Sequence, residues 1–272
     1  MSAPAVTVVI AVYRRVELLE LVLTSLERQS FTDFEIAIAD DGSGPEMAEA
    51  VRRWRARFSR PLLHAWHEDQ GFRKTIIVNR AVTLSVGGHL VFVDGDCILH
   101  HRFVERHYLR RQPHQALSGR RVMMDAELTG RLTVGDVQGG RIESPSFWWR
   151  HAKAHDRRNG FYLPALYGWR GWFSRDYAIL GSNFSLSRED FLSVNGYDER
   201  IVARGMEDVN LRRRLLNAGA HTRSIAHEAL QYHCDHGVGV FPHDAASVQR
   251  WGETREAWTP CGIVKSDPEG AR

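Results

Sequence analysis

Short apolar runs at Thr7 to Val12, Phe34 to Ala39, Leu62 to Trp66 and His89 to Val93 alternate with segments of helical period. Those segments lie near Leu18 to Leu26, Pro45 to Phe58 and Thr75 to Val86. A chain that alternates strand and helix in this way predicts an α/β fold: a mainly parallel central sheet flanked by helices on both faces. Parallel strands share one carboxyl-terminal edge, and here each run ends in residues unsuited to continuing it. Tyr13-Arg14-Arg15, Asp40-Asp41-Gly42-Ser43 and Asp94-Gly95-Asp96 therefore line one crevice, where open α/β sheets take ligands.

The 272 residues, 43% of them hydrophobic, suffice for one large domain or one domain with an appendage. Apolar stretches are too short to span a membrane, and Met1-Ser2-Ala3-Pro4 lacks a signal-like start, so an unsecreted, soluble protein is expected. An odd cysteine count, Cys97, Cys234 and Cys261, argues against a disulfide framework and for a reducing cytoplasm. Net charge is only +3, but arginines cluster at positions 52 to 60, 102 to 111 and 212 to 214. Each cluster alone reads as a solvated helix face. Together they suggest an anionic partner, either a phosphate-bearing substrate or peripheral contact with an acidic membrane. Nucleic acid is not expected, because no reading motif interleaves the basic residues.

After Gly119-Arg120-Arg121 the rhythm changes. Aromatic residues crowd Pro145 to Phe173, where Pro164, Gly160, Gly168 and Gly171 predict a long loop or broken helical excursion. That stretch, with Trp148, Trp149, Trp169 and Trp172, reads as an acceptor-facing surface or lid. A helix from Arg188 to Val194, a turn at Asn195-Gly196 and a helix from Glu207 to Asn217 follow. One strand from Thr222 to Tyr232 is expected to deliver His233-Cys234-Asp235-His236, and the last dozen residues to fray.

The acids carry the chemistry. Asp94 and Asp96 at a strand end are either two solvated turn residues or metal ligands. Glu207 and Asp208 either complement a helix dipole or supply a proton acceptor. His233 and His236 are candidate imidazole ligands, and a separate zinc site using Cys234 is the weaker alternative. Asp40 and Asp41 cap the turn into the next helix, a role compatible with ligand binding. Carboxylates that hold a metal, with a distant acid facing the same crevice, suit group transfer from a nucleotide diphosphate.

In their order these residues resemble family 2 glycosyltransferases of the GT-A fold, the Rossmann-like fold of nucleotide-diphospho-sugar transferases. The motifs are Thr7 to Tyr13, Ala39-Asp40-Asp41-Gly42-Ser43, Gly71-Phe72-Arg73-Lys74 with Asn79, and Asp94-Gly95-Asp96. Gly181-Ser182-Asn183-Phe184-Ser185, Asn195-Gly196-Tyr197-Asp198-Glu199, Glu207-Asp208 and His233 continue the series. The similarity is to the bacterial branch with chondroitin-polymerase domains and lipopolysaccharide or capsule transferases, and spans Val6 to His236.

The resemblance implies a metal-dependent, inverting transfer of a hexosyl or N-acetylhexosaminyl group from a UDP-sugar to a hydroxyl of a surface glycan or glycolipid. Asp96 would be the first ligand of manganese or magnesium, with Asp94, His233 and His236 as further ligands. Asp208 would be the catalytic base, and Glu207 would bind sugar hydroxyls. Ala11, Tyr13, Asp40, Asp41, Arg73, Asn79, Asp94 and Gly95 would contact the nucleotide, with Asp41 accepting the uracil N–H. Lys74 is a weaker phosphate candidate. Relatives often carry Trp-Gly-Gly before the acid pair, where this chain has Arg204-Gly205-Met206. The implied organisation is a catalytic domain over 1–240, divided into a nucleotide-binding half (1–118) and an acceptor-binding, catalytic half (119–240). A helical extension and tail would occupy 241–272. The cytoplasm, with peripheral attachment to the inner face of the membrane, is the expected location. The rivals are a nucleotidyltransferase, disfavoured because Ala11 to Arg15 is not Gly-rich, and a non-catalytic nucleotide- or glycan-binding module.

Overall fold

The computed structural model of the protein describes residues 3–151, 160–165, 178–202, 204–237 and 245–266. Its main sheet has seven strands in the order β3-β2-β1-β4-β8-β6-β9. These are β1 (Val6–Val12), β2 (Phe34–Asp40), β3 (Leu62–Trp66), β4 (His89–Asp94), β6 (Gln115–Ser118), β8 (Asn183–Ser187) and β9 (His221–Ser224). Strands β3, β2, β1 and β4 run parallel, as the alternating sequence pattern predicts, while β8 lies antiparallel between β4 and β6. A small second sheet joins β5 (Cys97–Leu99), β10 (Leu230–His233) and β7 (Arg120–Met123).

Both faces of the main sheet are buried, which is why its strands read as continuous apolar runs. Val8 and Ile10 of β1 turn to one face, with α1 (Val16–Glu27), α2 (Pro45–Arg57) and α4 (Phe103–Arg110). Val9 turns to the other, with α3 (Lys74–Leu84) and the helices Arg188–Ser193 and Met206–Asn217. Apolar burial at these positions stabilises the fold by roughly 25 cal/mol per Å².

Two expectations are corrected, and a third, the long loop or broken helical excursion from Pro145, is narrowed. The expected strand from Thr222 to Tyr232 is two strands in different sheets, because His227 takes a left-handed conformation (φ 67) and the chain crosses from β9 to β10. Pro145–His151 forms a helix, since a proline in the first turn leaves no backbone donor to satisfy. Residues 261–266 do not fray: Asn195 bonds Thr259 O, Val264 O and Val264 N, and Cys261 is buried. Trp169 and Trp172 lie outside the described residues. Among the described residues no helix is long and apolar enough to cross a membrane.

Candidate active site

The site begins where β1 and β4 end together. Gly95 N donates to Ala11 O at 2.8 Å, and a Cβ at Gly95 would lie 2.6 Å from Val12 Cγ1. Glycine thus lets the chain fold flat against β1 and separates the two flanking acids. Asp94 faces Lys74 on one side. Asp96 faces the small sheet on the other, where β10 pairs with β5 so that His233 sits opposite Cys97 and Cys234 N donates to Asp96 O. Strand register therefore carries His233 to Asp96 across a long stretch of sequence.

His233 Nε2 lies 3.6 Å and His236 Nε2 3.2 Å from Asp96 Oδ2, and one donor atom from each residue falls within 4.8 Å of the others. Burial pushes Asp96 upward, but the His236 hydrogen bond, with the neighbouring His233 and Cys97, outweighs it and holds the carboxyl below its ordinary range. Desolvation lowers His233, favouring the neutral imidazole that a metal ligand needs. One carboxylate and two imidazoles make a mixed oxygen and nitrogen donor set that fits manganese better than calcium. Asp94, expected as a further ligand, has its carboxylate 2.9 Å from the Lys74 ammonium and stands outside the cluster of Asp96, His233 and His236. Cys234 is buried among apolar side chains, its thiol is pushed up by burial, and it is not among the clustered donor atoms of Asp96, His233 and His236.

Glu207 and Asp208 open the helix Met206–Asn217 behind a left-handed Gly205 (φ 83). Glu207 is buried and Asp208 half-buried, and desolvation raises both carboxyls; the Asp208 charge adds to the rise of Glu207. Lys74 Nζ, 2.9 Å from Asp94 and 4.0 Å from Glu207, opposes the rise and is itself held protonated against its burial by Asp94, Asp208 and Glu207. The Tyr197 hydroxyl donates to Asp208 Oδ1 at 2.9 Å, and Gly181 supplies a backbone hydrogen bond to the same carboxylate. Glu207 Oε2 is buried with no hydrogen-bond partner among the described residues.

At the β2 end, Asp40 accepts from Ser43 N and contacts His64 Nε2 at 2.9 Å. Asp41 contacts His67 Nε2 at 2.8 Å and accepts from Arg73 N at 3.0 Å, which ties the β2 end to the loop before α3. Exposed Tyr13 donates to Asp69 at 2.8 Å. Asn79 departs from the expected nucleotide contact. Its buried amide donates to Tyr197 O and Glu199 and accepts from Tyr197 N, so its bonding capacity is spent on the fold.

Sequence reasoning missed Tyr197 as a partner of Asp208, Lys74 as a link between acids, and His64, His67 and Asp69 as supports. Only Asp69, in the polar run before Gly71, carried a local signal. The arginine clusters are also partly spent: Arg53 pairs with Glu20, Arg57 with Glu27 and Arg110 with Glu228. Arg214 is buried on the carbonyls of Val194 and Gly196. Trp148 departs from the expected acceptor surface, being 1% exposed and stacked on Tyr232 at 4.5 Å. Trp149 beside it is exposed.

Residues 7–173 match the family described as Glycosyl transferase family 2, and residues 171–236 match the N-terminal domain of galactosyltransferase. Validoxylamine A glucosyltransferase of Streptomyces hygroscopicus subsp. jinggangensis is 26% identical over 234 residues, 78% of this chain and 51% of that protein. Chondroitin synthase of Escherichia coli is 23% identical over 248 residues, 84% of this chain and 34% of that protein. The chain thus spans about half the length, or less, of these curated relatives. Among solved structures, the mannosyltransferase PcManGT from Pyrobaculum calidifontis, in complex with GDP-Man and Mn2+, aligns with a TM-score of 0.60 at 16% identity, covering 88% of this chain and 59% of that one. Staphylococcus aureus TarS aligns with a TM-score of 0.56 at 14% identity, covering 85% and 36%. The fold is GT-A, and the chain belongs to the Glycosyl transferase family 2.

Proposed function

We propose that this enzyme is metal-dependent and inverting, and moves a hexosyl or N-acetylhexosaminyl group from a UDP-sugar to a hydroxyl of a surface glycan or glycolipid. The observation that carries the reading is the pair of opposed groups around Asp94. Asp96, His233 and His236 lie on one side, and Lys74, Glu207 and Asp208 on the other. In this reading Tyr13 and the Ala11 backbone pack beside the base, and Asp41 accepts the uracil N–H. Arg73, with no side-chain partner among the described residues, reaches toward the diphosphate. Manganese or magnesium held by Asp96, His233 and His236 would neutralise charge that builds on the diphosphate.

Asp208 takes the proton of the acceptor hydroxyl as that oxygen attacks the anomeric carbon from the face opposite the diphosphate. A carbon–oxygen bond to the acceptor forms, the bond to the diphosphate breaks, UDP leaves, and the proton rests on Asp208. Burial raises the Asp208 carboxyl above its ordinary range, which makes it a stronger proton acceptor than a solvated aspartate once ionised. Glu207 Oε2 is suited to hold a sugar hydroxyl. The metal in the PcManGT complex supports the cation, and the buried, free Cys97, Cys234 and Cys261 support a reducing, cytoplasmic setting.

The test is nucleoside diphosphate release from UDP-glucose, UDP-galactose, their N-acetylamino counterparts and GDP-mannose, with Mn2+ and with chelator. Release from a UDP-sugar that chelator abolishes is expected. Turnover of GDP-mannose alone contradicts the uridine assignment, and full activity in chelator contradicts the metal.

A further inference from the structure

The Asp208 carboxylate is held at both ends. The Tyr197 hydroxyl donates to Oδ1 at 2.9 Å, and the Gly181 backbone supports the carboxylate from the other side, where a Cβ at Gly181 would collide with Oδ2. Tyr197 is not a surface tyrosine that happens to reach an acid. Its ring is 2% exposed and meets Phe92 and Phe191 edge-on, which fixes the direction of its hydroxyl. Its backbone is fixed as well, because Asn79 accepts from Tyr197 N at 2.9 Å and donates to Tyr197 O at 2.9 Å. Asn195 and Gly196, both in the left-handed region (φ 64 and 69), turn the chain so that Tyr197 enters the core beside Asn79.

We propose that Tyr197 is a positioning residue that aims the Asp208 carboxylate at the acceptor hydroxyl, with Asn79 locking Tyr197 and Gly181 leaving room for the second oxygen. The inference rests on the reading of Asp208 as the base. Packing alone would be satisfied by phenylalanine at 197. The hydroxyl matters because it fixes Oδ1, and a carboxylate without it is free to rotate in the field of Lys74. The charged or titratable groups facing Asp208 are Lys74 at the start of α3, Asp94 at the end of β4, Glu207 on its own helix and Tyr197 itself. A hydrogen bond donated to the ionised form favours that form, so its loss moves proton release to higher pH.

The experiment compares Tyr197→Phe, Gly181→Ala and Asp208→Asn with wild type. It follows UDP release, with Mn2+, from the UDP-sugar that the wild type turns over fastest, across the pH range. UDP affinity by calorimetry and melting temperature are read on the same samples. Tyr197→Phe is expected to lower kcat about tenfold and to move the acid limb of the kcat profile up by about one pH unit, with UDP affinity unchanged. Gly181→Ala, which displaces the same carboxylate without touching the phenol, is expected to lower kcat at least as far. A merely structural tyrosine would lower the melting temperature and leave the acid limb in place. An unmoved acid limb, or wild-type kcat in Tyr197→Phe while Asp208→Asn is inactive, overturns the positioning role. Wild-type turnover in Asp208→Asn instead overturns the reading of the base, and the two failures are thereby told apart.

Discussion

The Lys74 ammonium lies 2.9 Å from the Asp94 carboxylate, so the first residue of α3 neutralises the last residue of β4. The same ammonium stands 4.0 Å from Glu207, and a single mostly buried cation therefore faces three acids from two distant parts of the chain. Without it, Asp94, Glu207 and Asp208 would meet in a desolvated crevice as uncompensated like charges, each disfavouring ionisation of the others. With it, a carboxylate can remain ionised in a partly desolvated site.

The pH dependence of turnover follows from this burial. Desolvation raises Asp208, only its ionised form accepts a proton, and kcat should therefore fall as pH drops through a value above the ordinary aspartate range of about 4. The stability effect has the opposite sign. A carboxyl raised on folding favours the folded state below its unfolded value and loses that contribution as pH rises through the folded value. Asp208→Asn should accordingly melt at or above the wild-type temperature at neutral pH. A kcat acid limb at or below about pH 4 would contradict the burial argument.

Metal binding should depend on both sheets. His233→Ala and Asp96→Asn should each weaken Mn2+ binding, measured by calorimetry, by about tenfold or more, whereas Asp94→Asn should weaken it less because Asp94 faces Lys74. Calcium, which prefers more numerous oxygens, should restore chelated enzyme poorly. Equal Mn2+ losses in Asp94→Asn and Asp96→Asn would return Asp94 to the ligand set.

The described aromatic helix divides into a core residue and a surface residue. Trp148 stacks on Tyr232 and donates to Ile142 O, so Trp148→Ala should destabilise the fold by about 3–5 kcal/mol and damage all activities together. Exposed Trp149→Ala should leave the melting temperature within a degree or two, since exposed substitutions cost about 0.5 kcal/mol or less. Equal destabilisation by the two changes, measured by thermal unfolding, would contradict the assignment.

The parallel half of the sheet and the acids at its edge were legible because strand–helix alternation is local and strand ends are punctuated by polar residues. Direction was not. The tripeptide Asp94-Gly95-Asp96 says nothing about Asp94 turning to Lys74 and Asp96 to His233, because that outcome depends on Gly95 folding against β1 and on β5 pairing with β10. Asn79 sits at the spacing of a ligand residue, yet only the return of the chain at Tyr197 decides that its amide is spent on protein. The break at His227 was hidden for a similar reason: the apolar pattern continues while a positive φ moves the chain into another sheet. Long-range pairing and single backbone angles, rather than composition, decided each of these.

The central claim is that Asp208 takes the acceptor proton. Its most direct test is turnover and donor binding measured together on Asp208→Asn, using the UDP-sugar that the wild type turns over fastest, with Mn2+ present. The substitution keeps the shape of the side chain while removing the proton acceptor. A fall in kcat of about a hundredfold or more, with UDP affinity by calorimetry within about twofold of wild type, is the predicted result. Wild-type turnover in Asp208→Asn would contradict the account and move the base elsewhere in the crevice.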